Sequence, residues 1–158
     1  MCSAAVLASC HAKIVHDERP CRELEVVDSL MWTQPDSAFV VLLAFAESPL
    51  TDSLDEFNGH YFQLLVSELL FKNYYEQSNR EDLLKAVNYF DSQTDAFLSA
   101  RAHYMNGVGY YETDSVVPTC KEYLKCLEIM ENGFDAKRLN GPKAQFMSLV
   151  YNRLGDYD

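Results

Sequence analysis

The sequence predicts an all-α protein, and three observations favour this fold class. The 158 residues include only six glycines and five prolines, which mostly stand alone between apolar runs. Within those runs, apolar residues recur at the spacing that places side chains on one face of an α-helix. With 48% hydrophobic and 13% aromatic residues, the chain can also bury a sizeable core. We therefore expect one globular helical domain with short connections.

The first two helices are predicted to be joined by a turn that contains Pro35. The first ends at Trp32, and Asp36 or Ser37 can cap the second. The second helix is apolar on every side from 38 to 46, so we expect other elements to cover most of it. The apolar stripe of the first helix consists of Leu24, Val27, Leu30 and Met31.

Two capping boxes are predicted at the start of the next elements. In a capping box, a Ser or Thr and a Glu three residues later satisfy each other's backbone amides. Ser53-x-x-Glu56 predicts a short helix or turn, after which a long helix is expected over residues 60–77. Ser78-x-x-Glu81 predicts the start of the following helix. The apolar stripe of that helix consists of Leu83, Ala86, Val87 and Phe90.

A helix predicted over residues 95–112 contains Gly107 and Gly109. Each glycine costs a helix about 1 kcal/mol relative to alanine, so close approach of a neighbouring helix is the expected reason for Gly107. Asp114 is predicted to cap the next helix, which ends at Asn132-Gly133. The predicted stripe of that helix consists of Val116, Cys120, Tyr123, Leu127 and Met130.

The last element is an amphipathic helix over residues 144–154, followed by Gly155-Asp156-Tyr157. The sequence stops where a partner for this helix should begin. We therefore expect the helical domain to be truncated at its C-terminus, so that the last helix either frays or buries its bare face against another copy of the chain.

The spacing of small and aromatic residues in the second half resembles the tetratricopeptide repeat. Gly107-x-x-Tyr110 stands on one helix, and Thr119, Tyr123 and Cys126 stand on the return helix. Asp114 occupies the place of the family's turn glycine, and about seven residues are inserted before the last helix. The resemblance implies antiparallel helix pairs that stack over residues 22–158 as a short right-handed solenoid.

The N-terminal segment Leu7-Ala8-Ser9-Cys10 resembles the lipobox of bacterial lipoproteins, in which a lipid is attached to the Cys. This resemblance implies a signal peptide remnant over 1–10, lipidation at Cys10, a tether over 11–21 and a lipid-anchored protein of the bacterial envelope. The opening helix pair, with Asp28-Ser29-Leu30-Met31, resembles that of envelope lipoproteins with tetratricopeptide-like repeats. If Met1 is the true start, the protein is cytoplasmic instead, because residues 1–6 lack Lys and Arg.

Charge and motif composition argue against several function classes. The net charge is −11 without a basic cluster, so we expect no nucleic-acid ligand and no membrane contact except through the anchor. No Glu-x-x-His or Cys-x-x-Cys motif occurs, and His60 and His103 accompany no nucleophile motif. We therefore predict a non-enzymatic protein without cofactor or metal.

The tetratricopeptide resemblance implies a protein or peptide ligand in a concave groove lined by the first helix of each pair. The function predicted is that of a protein–protein interaction scaffold. The alternative is the N-terminal sensor or interaction region of a longer membrane-bound transcriptional or signalling regulator. Tyr and Arg supply the most binding energy per contact. The predicted contact residues are Arg101, Tyr104, Tyr111, Glu112, Gln145, Asn152 and Arg153.

Overall fold

The computed structural model describes residues 21–134 and 141–155, and all regular secondary structure in these ranges is helical. The all-α prediction is therefore confirmed for this part of the chain. Cys10, nearly all of the predicted tether and the last three residues lie outside the described ranges. The elements are α1 (Arg22–Met31), α2 (Pro35–Ala46), a 3₁₀ helix (Pro49–Ser53), α3 (Glu56–Lys72), α4 (Arg80–Asp91), α5 (Ala96–Tyr111), α6 (Val116–Gly133) and α7 (Gly141–Gly155).

Helix α5 lies at the centre of the packing. Each α-helix contacts the next one along the chain, and α1, α3, α5 and α7 also contact one another in that order. Helix α5 therefore packs against α3, α4, α6 and α7. Every residue from Leu98 to Gly109 is buried as a result, so this helix has little surface to offer a ligand.

The buried stripe of α1 confirms the sequence pattern at Leu24, Val27 and Met31. The buried face of α6 is displaced from the predicted stripe, because Thr119, Tyr123, Cys126 and Met130 turn inward while Val116 is exposed. These four residues include the small and aromatic positions that carried the repeat resemblance.

Gly107 lies at a close approach between α5 and α6, as its place inside a helix predicts. A Cβ atom there would lie 2.6 Å from Cδ1 of Tyr123, well inside van der Waals contact. The Tyr123 ring stacks on the Tyr104 ring, with ring centroids 5.3 Å apart. Because Gly107 has no Cβ atom, the Tyr123 ring can occupy this space.

Both capping-box predictions are wrong, because Ser53 and Ser78 are not the N-cap residues of α3 and α4. Helix α3 begins at Glu56, where an Asp55 side-chain oxygen accepts the backbone N–H of Asn58 at 2.8 Å. Helix α4 begins at Arg80, and the Asn79 side chain at its N-cap donates to the Gln63 carbonyl instead of capping. Similarly, α2 starts directly at Pro35, whose fixed φ suits the first helical position.

The turns that follow helices α3 and α5 each contain a left-handed residue that is not glycine. Tyr74 has φ +62° and Asp114 has φ +53°. In each case the next backbone N–H bonds to the carbonyl five residues earlier, from Tyr75 to Leu70 at 2.9 Å and from Ser115 to Tyr110 at 3.0 Å. Asp114 is therefore not the cap of α6. It takes the turn conformation for which glycine is preferred.

Candidate protein-binding surface

Two predicted contact residues are buried and cannot face a partner. Arg101 is 0% exposed and Tyr104 is 1% exposed. Tyr104 lies between Tyr123 and the edge of Phe146, whose centroid is 5.6 Å from its own. The expectation that both line an open groove is corrected for a simple reason: α7 and α3 cover the face of α5 that carries them.

Arg101 is the centre of a buried ionic network that joins three helices. Its guanidinium donates to both carboxylate oxygens of Asp28 on α1, at 2.8 and 3.1 Å. It also donates to both oxygens of Glu68 on α3, at 2.6 and 2.8 Å. The Tyr61 hydroxyl and, at 3.3 Å, the Trp32 indole N–H donate to the same Asp28 carboxylate. This guanidinium therefore serves the packing of α1, α3 and α5.

The charges in this network perturb one another in opposite directions. Burial raises the pKa of Glu68, and Arg101 opposes that rise only in part. Burial would also raise the pKa of Asp28, but the charge and hydrogen bonds of Arg101 hold it below its usual range. For Arg101, burial alone would lower the pKa, yet Glu68 and Asp28 raise it well above its ordinary value. Arg101 therefore stays charged between the two carboxyl groups, of which Asp28 is the more readily ionised.

The other five predicted contact residues reach the surface. Tyr111, Glu112, Gln145 and Asn152 are exposed, and Arg153 is half-buried. The Arg153 guanidinium lies 5.4 Å from the centre of the Tyr111 ring, so α7 and the end of α5 are brought together here. A Glu112 carboxylate oxygen accepts the backbone N–H of Gln77 at 3.0 Å, which ties the end of α5 to the turn before α4.

An open groove of about 490 Å³ lies where the C-terminal ends of α3 and α5 meet the α3–α4 turn. We call it the tyrosine groove. It is the point at which the predicted residue Glu112 meets side chains that the sequence patterns did not single out. The lining side chains that matter for recognition are Phe71, Tyr74, Tyr75, Glu76, Arg80 and Glu112.

Tyr74 is the most unusual residue of the groove. Its side chain is 97% exposed, so it has almost no contact with the rest of the described chain. Its backbone is left-handed, which is uncommon for a bulky residue and costs roughly 1–3 kcal/mol. Neither packing nor turn chemistry accounts for a tyrosine at this position, because glycine or asparagine would suit the turn better.

The outer face of α2 extends the groove as an apolar surface. The Phe39 ring stacks on Tyr75 with centroids 5.5 Å apart, and Leu43 lies one helical turn beyond Phe39. Leu43 is 50% exposed and Val40 is 67% exposed. Helix α2 contacts α1, α3 and the 3₁₀ helix. The expectation that other elements cover most of it therefore holds at Ala38, Leu42 and Phe45, which are buried, and fails at Val40 and Leu43.

His103 lies between two carboxylates on different helices. Its Nδ1 is 2.7 Å from an oxygen of Glu122 on α6, and its Nε2 is 3.0 Å from an oxygen of Asp91 on α4. The Ser99 hydroxyl donates to Asp91 at 2.8 Å and not to the imidazole. Ser99 and His103 therefore lack the contact between nucleophile and base that a hydrolase needs. Burial lowers the pKa of His103, but the hydrogen bonds and charges of Glu122 and Asp91 raise it overall.

Several other kinds of site are absent from residues 21–134 and 141–155. No group of three or more His, Cys, Asp or Glu side chains there could hold a metal ion. Cys21, Cys120 and Cys126 are free thiols. None of the helices in these ranges combines the length and the apolar character that crossing a bilayer requires.

Comparison with known proteins finds no matching family model, no matching curated protein and no matching solved structure. The resemblance to tetratricopeptide-repeat lipoproteins therefore stays a prediction.

The sequence patterns missed Tyr74, Tyr75 and the outer face of α2. Tyr74 and Tyr75 fall inside the helix that was predicted over 60–77, so their place in a turn was not foreseen. The signal that could have found them is Asn73, which commonly ends a helix, followed directly by two large aromatic residues in a polar stretch.

Proposed function

We propose that the protein is a non-enzymatic interaction module that binds a polypeptide segment of a partner in the tyrosine groove. The observation that carries this proposal is Tyr74, which is almost fully exposed although its backbone conformation is costly for a tyrosine. A residue that weakens the fold at a surface turn has its most direct explanation in a contact with a ligand.

The groove is large enough to take side chains of a partner segment, and Phe71, Tyr74 and Tyr75 make its lining rich in aromatic residues. Its volume of about 490 Å³ lies within the range of about 300–1,000 Å³ that is usual for ligand sites. Tyrosine rings give a large contact area at low entropic cost, and Tyr75 is already held in place by Phe39. The outer face of α2 can take the apolar side chains that follow in the partner segment.

The packing order of the helices supports a stacked arrangement of helix pairs. The contacts of α1 with α3, α3 with α5 and α5 with α7 are those expected when successive pairs stack along one axis. In that arrangement, α7 would begin a further pair. The tyrosine groove would then lie at one end of the pairs formed by α3–α4 and α5–α6.

The test begins with selection of binders from a random peptide library displayed on phage, with the full chain as target. Affinities of the selected peptides are then measured by fluorescence polarisation for the wild type, Tyr75→Ala and the matched control Tyr151→Ala. Tyr151 is likewise exposed but lies on α7. We expect Tyr75→Ala to weaken binding about thirtyfold, the effect of losing about 2 kcal/mol at an aromatic contact. Equal affinities for all three proteins would contradict the proposed site.

The proposed cellular location is the bacterial envelope, and it depends on the Leu7-Ala8-Ser9-Cys10 segment. Expressed from its native gene locus, the protein should partition into detergent, and the variant Cys10→Ser should not. Blocking the lipoprotein signal peptidase should shift the apparent mass of the wild type only. A wild-type product that stays in the aqueous phase with Met1 intact would contradict this proposal.

A further inference from the structure

The tyrosine groove carries two carboxylates that form no ion pair with a described residue. Glu76 and Glu112 both line it and are both exposed. Within the described ranges, neither forms an ion pair, and Glu112 accepts only the backbone N–H of Gln77. Both charges are therefore available to a ligand.

Two helix ends add to the negative potential of the groove. Phe71 lies in the last turn of α3 and Gly109 in the last turn of α5, so the C-terminal ends of both helices are directed to this place. Each helix C-terminus carries a partial negative charge of about half an elementary charge. Helix α4 begins at the same groove with the opposite polarity and offsets one of these two ends, while the acidic residues of its first turn, Glu81 and Asp82, pair with Lys85.

The cations near the groove are engaged with aromatic rings. Arg80 is the one cation among the lining residues, and its guanidinium lies 5.1 Å from the centre of the Tyr110 ring. Lys72, at the end of α3, places its ammonium group 4.7 Å from the centre of the Trp32 ring. The Tyr74 and Tyr75 rings at the groove have no such cation among the described residues.

We propose that the tyrosine groove recognises an arginine or lysine side chain of the partner polypeptide, an inference that rests on the proposed function. The cationic group pairs with Glu76 and Glu112 at the rim, and the faces of the Tyr74 and Tyr75 rings attract it through the ring quadrupole. The net charge of −11 steers a basic partner toward the protein and repels an acidic one.

The probes are the synthetic peptides acetyl-Gly-Arg-Gly-amide and its citrulline counterpart, in which a urea of the same shape replaces the guanidinium. Binding to the full chain is followed by shifts of backbone amide signals in NMR titrations. We expect the arginine peptide to shift signals around Tyr74 and Glu112, and the citrulline peptide to bind about tenfold more weakly. Raising the ionic strength from about 0.05 M to about 0.3 M should lower the affinity of the arginine peptide and leave that of the citrulline peptide unchanged.

Three variants test whether the group that the groove recognises carries a positive charge. The double variant Glu76→Gln/Glu112→Gln keeps the hydrogen-bond acceptor of Glu112, and it should bind the arginine peptide about tenfold more weakly. The matched control Glu25→Gln/Glu131→Gln removes the same charge at exposed sites elsewhere and should change affinity less than twofold. Arg80→Met should strengthen binding, because it removes the one cation that lines the groove.

The proposal is overturned if the citrulline peptide binds as well as the arginine peptide. It is equally overturned if acetyl-Gly-Glu-Gly-amide binds better and Arg80→Met abolishes that binding, or if no probe shifts signals of the groove. Library peptides that lack Arg and Lys but depend on Tyr75 would leave the proposed function standing and remove only this inference.

Discussion

Replacing Arg101 by Met should destabilise the fold severely. The variant keeps a long apolar side chain, but it leaves the carboxylates of Asp28 and Glu68 without their common partner. Glu68 has almost no solvent access, whereas Asp28 keeps the hydrogen bonds from Tyr61 and Trp32. Most of the cost should therefore come from Glu68.

Removing one side of a buried ion pair costs about 3–5 kcal/mol, because the remaining charge is desolvated without compensation. A domain of this size has a total unfolding free energy of about 5–15 kcal/mol, so the loss should be obvious in urea denaturation followed by circular dichroism. The double variant Arg101→Met/Glu68→Leu should recover about 2 kcal/mol or more, since the most buried uncompensated charge is then gone.

The loss of unfolding free energy caused by Arg101→Met should become smaller as the pH is lowered. Burial already raises the pKa of Glu68, and without Arg101 it should rise further, so that mild acid neutralises the carboxyl. A loss of less than about 1 kcal/mol at neutral pH, or a Glu68→Leu change that adds to the damage, would refute the reasoning about this network.

Three further predictions concern single positions. Gly107→Leu should cost about 1–3 kcal/mol because Tyr123 occupies the space, whereas Gly59→Ala, with no neighbour within 4 Å, should leave the melting midpoint unchanged or raise it. The pKa of His103 is raised in the fold, so its stabilising contribution is complete below its ordinary pKa of about 6.5 and is lost as the pH rises through the raised value. His103→Gln should remove that decline from a series of urea midpoints at increasing pH, and an identical decline in the variant would contradict it. Asp114→Gly should stabilise the protein by up to about 1 kcal/mol in thermal melts, because φ +53° suits glycine; a lower midpoint would contradict the assigned turn.

The elements that could be predicted from sequence are those whose evidence is local. The stripe of α1 and its end at Trp32 follow from helical spacing and from the proline that comes shortly after. Gly107 was predicted to be a packing glycine because an unexplained glycine inside a helix requires a neighbour, and Tyr123 is that neighbour.

The features that could not be predicted depend on which residues meet in space. Arg101 was expected on an open face, but its partner Asp28 is 73 residues away in sequence, and no local pattern pairs the two. The same holds for the start of α4, where Asn79 bonds to Gln63 on another helix instead of capping its own. The spacing of apolar residues locates a helix, but which of its faces are buried depends on the helices that pack against it.

The groove was missed for a related reason. Helical periodicity continues through Tyr74, so the spacing of apolar residues predicts a helix there, although Asn73 is a residue that commonly ends one. Glu112 is exposed, but its neighbours in the groove come from the α3–α4 turn and not from the helix face that the repeat pattern implies.

The most direct test of the proposed function measures stability and binding together in Tyr74→Gly. Glycine relieves the left-handed strain, so the unfolding free energy should stay equal or rise by up to about 1 kcal/mol. The affinity for peptides selected on the wild type should fall at least about tenfold, because the exposed ring is lost. A gain in stability with unchanged affinity would show that Tyr74 is not a contact residue and would contradict the account.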